Sequence, residues 1–329
     1  MNESKELQMN AFAATNVRNM AVVDGATTPA ESVPKAVLTV TSPSERHWVG
    51  DGFPVYTMFS YQDDAAGRSP FLMLDYVAPT RFEPNAGRRR GVGGHPHRGF
   101  ETVTIVYSGE VEHRDSTGAG GVIGSGDVQW MTAGAGILHE EFHSEAFSRT
   151  GGPFEMVQLW VNLPSRDKLT PAHYQSIEAA RIPALELPGG AGWNRVIAGQ
   201  YGADHGPART YTPMNVWDVR IFAGKSADLP QPAGWTTLIL VQQGSVMLNG
   251  RQVAAGQLVT LGRDGSGLDL VAQAEDVRLL LLAGQPIDEP VVGYGPFVMN
   301  DLREIRQAVE DFRQGRFAAH EARPGSLPS

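Results

Sequence analysis

From residue 37 onward the chain alternates short apolar runs with glycine-rich turns. VLTVT (37–41) alternates apolar and polar positions, the pattern of a half-buried strand. FLMLDYV (71–77), ETVTIVYSGEVEHR (101–114), GDVQWM (126–131) and EMVQLWVNL (155–163) are rich in Val, Thr, Ile, Tyr and Trp, the residues that favour strands. SGE (108–110) and GSGD (124–127) between them fit hairpin connections. Residues 164–172 are charged and proline-flanked and read as a linker. A second β region follows, at 210–223, 236–250, 256–262 and 277–284. Its hairpin VQQGSVMLNGRQV has the rhythm of VYSGEVEHRDS in the first region, as two copies of one β domain would.

One clear helical pattern stands at the end, DLREIRQAVEDFRQ (301–314). Leu302, Ile305, Val309 and Phe312 fall on one face at helical spacing. Asn300 or Asp301 can cap its start, with Glu304 closing a capping box, and Gly315 can stop it. Many short strands with a lone terminal helix predict an all-β sandwich or barrel, here twice over. The expected organisation is a flexible N-terminal arm over 1–35, a first β domain over 36–165, a second over 166–300, and the helix with a mobile tail over 301–329.

Composition narrows the chemistry. The 329 residues contain no cysteine, so a disulfide framework, a thiolate zinc site and a cysteine nucleophile are all excluded. Any metal must be held by nitrogen and oxygen, and there are nine histidines. The formal charge of −9 argues against nucleic-acid binding, which needs a positive field. No stretch reaches the ~18 apolar residues of a membrane span, and no basic region followed by an apolar core opens the chain. The expected compartment is therefore the cytoplasm.

Two segments concentrate the histidines, GHPHRGFE (94–101) and GAGILHEE (134–141). Residues i and i+2 of a strand share a face, so His95 and His97 point the same way, as do His139 and Glu141. If the two strands lie side by side, three imidazoles and one carboxylate converge. That donor set suits Fe(II), Mn(II), Ni(II), Cu(II) or Zn(II). The glycines before each pair let the backbone bend close to such a site.

HPHRGFETV (95–103), GDVQWMTAGAGILHEE (126–141), MVQLWVNL (156–163) and PVVGYGPFVMN (290–300) together resemble the pirin family of the cupin superfamily, over roughly residues 60–315. The resemblance implies a bicupin, two facing β-barrels of jelly-roll type. It also implies one divalent metal in the N-terminal barrel only, and a C-terminal helix packing back. It implies His95, His97, His139 and Glu141 as ligands, and Fe(II) as the usual metal. General cupins place a ligand carboxylate soon after H-x-H, which makes Glu101 the alternative. Glu101 lies an even six residues after His95, on the same face if one strand runs through both.

The other histidines read as bystanders. His113 is expected at the surface and His143 as a non-ligand. His47, His173, His205 and His320 read as structural or exposed. No histidine lies between His205 and His320, so the second domain is not expected to hold a metal of this type. Arg88, Arg89 and Arg90 read as a solvated loop or as a rim for an anionic substrate. Trp130 and Met131 read as core.

What the resemblance implies for function is quercetin 2,3-dioxygenase activity on a flavonol or related phenol, with dioxygen. Glu141 or Glu101 would be the base that takes the hydroxyl proton. The alternative is a redox-sensing regulatory metalloprotein acting through protein partners. A zinc hydrolase or isomerase on the same ligands is a third reading.

Overall fold

The computed structural model describes residues 33–43, 45–85 and 87–317. The expected tail and His320 lie outside these residues, as does the expected arm up to residue 32. The chain forms two sandwiches of the same plan, each a seven-stranded sheet facing a four-stranded one. In the first, the seven-stranded order is His173–Ile177, Val128–Thr132, Phe100–Ser108, Gly152–Asn162, Phe71–Phe82, Phe53–Ser60, His47–Val49. The four-stranded order is Gly91–His97, Ile137–His143, Val111–Asp115, Gly120–Ile123. The second repeats this with Val37–Thr41, Leu258–Leu261, Thr236–Gln243, Val277–Gly284, Met214–Ile221, Gly192–Ala198 and Ala184–Glu186 over a four-stranded partner. The shared rhythm of the two hairpins thus has a structural basis.

The large sheets pack against each other. Val103, Ile105, Val128, Trp130, Leu159 and Val161 of one meet Val216, Leu238, Leu240, Leu280 and Leu282 of the other in one continuous core. The opposite face of each large sheet packs on its own small sheet, through Val77, Val106 and Met156 in the first sandwich and Val219, Ile239 and Leu281 in the second. Burial on both faces explains why these strands read as nearly unbroken apolar runs. Two buried polar contacts key the halves together. Glu155 accepts from Tyr76 at 2.8 Å and pairs with Arg278 of the second sandwich. Arg195 Nη2 donates to the Gly126 carbonyl at 2.6 Å.

Edge strands cross the expected boundaries in both directions. Val37–Thr41, read from its alternation as the opening of the first domain, pairs antiparallel with Leu258–Leu261 of the second. Lys35 fixes it there: its buried Nζ donates to the carbonyls of Trp235, Gly262 and Arg263 at 3.1 to 3.4 Å. His173–Ile177, beyond the linker, pairs with Val128–Thr132 of the first sandwich. Alternation says that a strand is half buried but not against which sheet.

The C-terminal helix runs Leu302–Arg313, capped by Asp301 with Glu304 closing the capping box. Ile305 and Ala308 are buried, whereas Leu302 and Phe312, expected on the buried face, are exposed. Gly315 follows with φ +69°, the left-handed stop that glycine tolerates. Among the described residues no helix is long and apolar enough to cross a membrane.

Leu240→Ala, in the core shared by both sandwiches, is expected to cost about 2–5 kcal/mol. Calorimetry of the wild type and the variant should each show one transition. Two separated transitions would show that the halves unfold independently.

Candidate metal centre

The two ligand strands lie side by side in the small sheet of the first sandwich. His139 sits directly opposite His95, and Ile137 opposite His97. The period of two then turns the three imidazoles to one side. Their ring centroids lie 4.2 Å apart for His95 and His139, and 4.8 Å apart for each of the other two pairs. One ring nitrogen from each falls within 4.8 Å of the others, so the three could hold one ion.

Their chemistry fits that role. His97 and His139 are buried, yet Nδ1 of His97 and both ring nitrogens of His139 have no hydrogen-bond partner. Buried polar atoms left unpaired in this way call for a partner, and a metal ion provides one. His95 Nδ1 is engaged with the Gly93 carbonyl at 2.9 Å, which orients its ring. Burial pushes both His97 and His139 well below the usual imidazole range, and the neighbouring histidines push in the same direction. Both are therefore neutral, the form that binds a metal.

Glu141 shares the inward face with His139, as its spacing predicts. Its carboxylate is not part of the three-nitrogen cluster. Gln158 Nε2 holds it, at 3.2 Å from Oε1 and 3.0 Å from Oε2. Burial raises its carboxyl above the usual range; the charge of His95 and the Gln158 and Thr104 hydrogen bonds oppose that.

Cross-strand register orders the barrel interior into rows. Met131, Thr102 and Trp160 are paired neighbours beside the histidines. The Trp160 indole lies 5.3 Å from the His97 ring. Gln129, Thr104, Gln158 and Asp75 form the next row, facing Glu141 and its cross-strand partner His113. Val106, Met156 and Val77 close the apolar floor. Gln158, Thr104 and Trp160 were not singled out from the sequence. The even spacing of Met156, Gln158 and Trp160 within an apolar strand was the available signal.

Glu101 stands elsewhere. It shares a face with Val103 and Ile105, which point into the core between the sandwiches, and it accepts from the Thr132 hydroxyl at 2.7 Å. The parity that joined it to His95 fails because the chain turns a corner. Between residues 97 and 100 it leaves the small sheet for the large one, through Gly99 at φ +87°. A Cβ at Gly99 would come within 2.1 Å of the Val298 carbonyl, so only glycine fits there. Under the same corner Lys168 is buried, donating to Gly99 O at 2.9 Å, Asn162 Oδ1 at 2.8 Å and Val298 O at 2.9 Å. Burial lowers its ammonium to about 7, with Glu304 and Glu289 opposing.

His113, expected at the surface, is 2% exposed and stacked on Tyr174, with ring centroids 5.3 Å apart. Burial lowers it to about 4, against the pull of Asp115 and Glu112. His143 lies at the far end of its strand among Phe53, Phe82, Phe147 and Phe154, with Nε2 engaged by the Gly52 carbonyl at 2.9 Å. The arginine run is spent on local contacts. Arg88 pairs with Asp51 and Arg89 with Glu112, while Arg90 packs over Phe82.

Two facing β-sandwiches, one bearing a three-histidine cluster with two of its rings buried, define a bicupin with a candidate metal centre in its N-terminal half. The chain belongs to the pirin family. The Pirin family model matches residues 52–161, and the Pirin C-terminal cupin domain matches 216–318. A Pseudomonas aeruginosa protein named "Putative quercetin 2,3-dioxygenase" is 58% identical over 283 residues, covering 86% of this chain and 98% of that one. The crystal structure of quercetin 2,3-dioxygenase from Acinetobacter baumannii is 52% identical with a TM-score of 0.84, covering 87% of this chain and 99% of the other. A bacterial pirin from Escherichia coli, solved in complex with nickel(II), shares the fold at 20% identity and a TM-score of 0.56, covering 75% of this chain and 99% of that one.

His97→Ala and His139→Ala should each strip the metal while the far-UV β signal persists, because the fold rests on sheet packing. Stoichiometric metal in both variants would refute the assignment. Glu101 gives an independent pH signature. Burial raises its carboxyl from 4.5 to about 7, although the Thr132 hydroxyl and the Trp130 indole pull it down. The folded chain therefore holds this proton more tightly than the unfolded chain. Its contribution is full below pH 4.5 and is lost as pH rises through about 7, a loss of up to about 3 kcal/mol. Glu101→Gln should remove that decline in urea unfolding between pH 4.5 and 8, with metal content unchanged.

Proposed function

We propose that this chain is a mononuclear metal-dependent oxygenase of the quercetin 2,3-dioxygenase type, acting on a flavonol or a related phenol with dioxygen. The observation that carries this reading is the cluster of three imidazoles beside a buried carboxylate, at one end of the barrel interior. The names of two similar proteins support the substrate class. In this reading His95, His97 and His139 hold one divalent metal, Fe(II) by family habit, with nickel, manganese, copper and zinc as the alternatives that metal analysis distinguishes. When bound, such a metal supplies Lewis acidity toward a phenolate oxygen and one-electron chemistry toward dioxygen.

The residues of the chain do the rest. Glu141 stands beside the imidazoles, placed to accept the proton of the substrate hydroxyl. Gln158 donates to both of its oxygens and fixes the direction in which the carboxylate faces. The resemblance to the pirin family makes the same carboxylate the candidate fourth ligand. Trp160, 5.3 Å from the His97 ring and backed by the buried Phe100 at 4.3 Å, gives the site an aromatic side suited to a phenol ring. The acidic chain offers no positive field for a polyanion.

Protein loaded in turn with iron, nickel or manganese should consume quercetin aerobically, with oxygen uptake and release of carbon monoxide. Without oxygen it should shift the flavonol absorption band on binding. Neither consumption nor shift with any of the three metals would overturn the reading and favour a regulatory role. Glu141→Gln should lower kcat by about 10²–10⁴ with metal retained. Loss of the metal would instead assign the carboxylate to the donor set.

A further inference from the structure

His97 is the last residue of its strand, so the ladder that aligns His95 with His139 ends where His97 needs support. The next residue supplies it. Arg98 is 8% exposed, and its Nε donates to the Ala135 carbonyl at 2.6 Å, in the turn that leads into the His139 strand. Its Nη1 donates to Asp311 Oδ2 of the C-terminal helix at 2.7 Å. Its guanidinium carbon lies 4.5 Å from the centroid of the Phe317 ring. The backbone is tied as well. Arg98 N–H donates to Pro296 O at 3.2 Å, and Val298 N–H donates to Arg98 O at 3.1 Å.

The partners on the helix side are themselves held. Asp311 Oδ1 accepts from Gln307 and Arg316, leaving Oδ2 to Arg98. Phe317 is buried beside Phe297 and Phe312. A Cβ added at Gly136, in the second ligand turn, would stand 2.9 Å from the Phe317 ring, so turn and ring are in close contact. Arg98 thus touches both ligand-bearing turns and the helix at once. The paired side chains are only 10% and 14% exposed, so solvent screens this charge-assisted bond less than a surface pair.

We propose that Arg98 and Asp311 are positioning residues of the metal centre: one guanidinium locks the two ligand turns to each other and to the C-terminal helix. The grip on the metal then depends on a helix that contributes no ligand. The proposal rests on the metal reading above and extends it. A bond that fixes ligand geometry from behind acts mainly on metal release and on the ligand field, whereas a merely stabilising contact acts on unfolding alone.

Cobalt(II) is the probe, because its absorption bands report ligand geometry and its transfer to an excess of chelator reports release. Asp311→Asn keeps the shape and removes the charge. It should speed cobalt release about tenfold or more and shift the bands. Asp311→Glu should restore most of the wild-type rate. Arg306→Ala, an exposed change on the same helix, should behave as wild type, and circular dichroism of each metal-free variant confirms the fold. A wild-type chain that takes up no cobalt overturns the metal reading and this proposal with it. A wild-type chain that holds cobalt, with Asp311→Asn releasing it at the same rate and with the same bands, overturns the positioning role alone.

Discussion

The back-to-back packing of two seven-stranded sheets constrains everything else in this molecule. A sheet buried on both faces has no solvent side on which to place polar groups. Its strands are mostly apolar on the face toward the other sandwich, where the few polar groups, such as Glu101 and Glu155, are paired, and a row of polar residues lies on the face that looks into the barrel. The row of Gln129, Thr104 and Gln158 occurs there, between a floor of Val106 and Met156 and the histidines. Each polar group in a dry interior must find a partner, because burial without one costs several kcal/mol. Gln158 finds Glu141. The three imidazoles find one another's company and little else, which is the physical reason the site fits an ion.

Much of the site was legible in the sequence because it depends on local parity. His95 with His97, and His139 with Glu141, need only a strand and a period of two. The capped terminal helix was legible for the same reason, since Asp301 and Glu304 act within one turn. The placements that failed depend on something the period does not carry. Glu101 sits past a corner where the chain changes sheets, so counting from His95 says nothing of its face. His113 looks like a hairpin-end residue, but Val111, His113 and Asp115 alternate inward under Tyr174. Leu302 and Phe312 sit at the two ends of the helical stripe, where Leu302 is largely uncovered and Phe312 is covered only in part, by Phe297 and Phe317.

The two halves share a plan and differ in content. The second sandwich fills the matching part of its interior with Val219, Ile239, Val241, Leu279 and Leu281. The first holds histidines at one end of its interior, and it is braced from outside. Lys168, Arg98 and Phe317 all press on the corner at Gly99 or on the turn at Gly136. Bracing from the rim holds the two histidine-bearing turns against each other without adding side chains to the interior.

The exchanged edge strands have a consequence in time. Thr41 and the Leu258 it lies against are 217 residues apart in the chain. At a synthesis rate of about 5–20 residues per second, this strand is made roughly 10–40 s before its partner exists. Until then VLTVT is an unpaired strand edge, open to other chains. The strand Val37–Thr41 therefore waits for a partner made more than two hundred residues later before it can be placed.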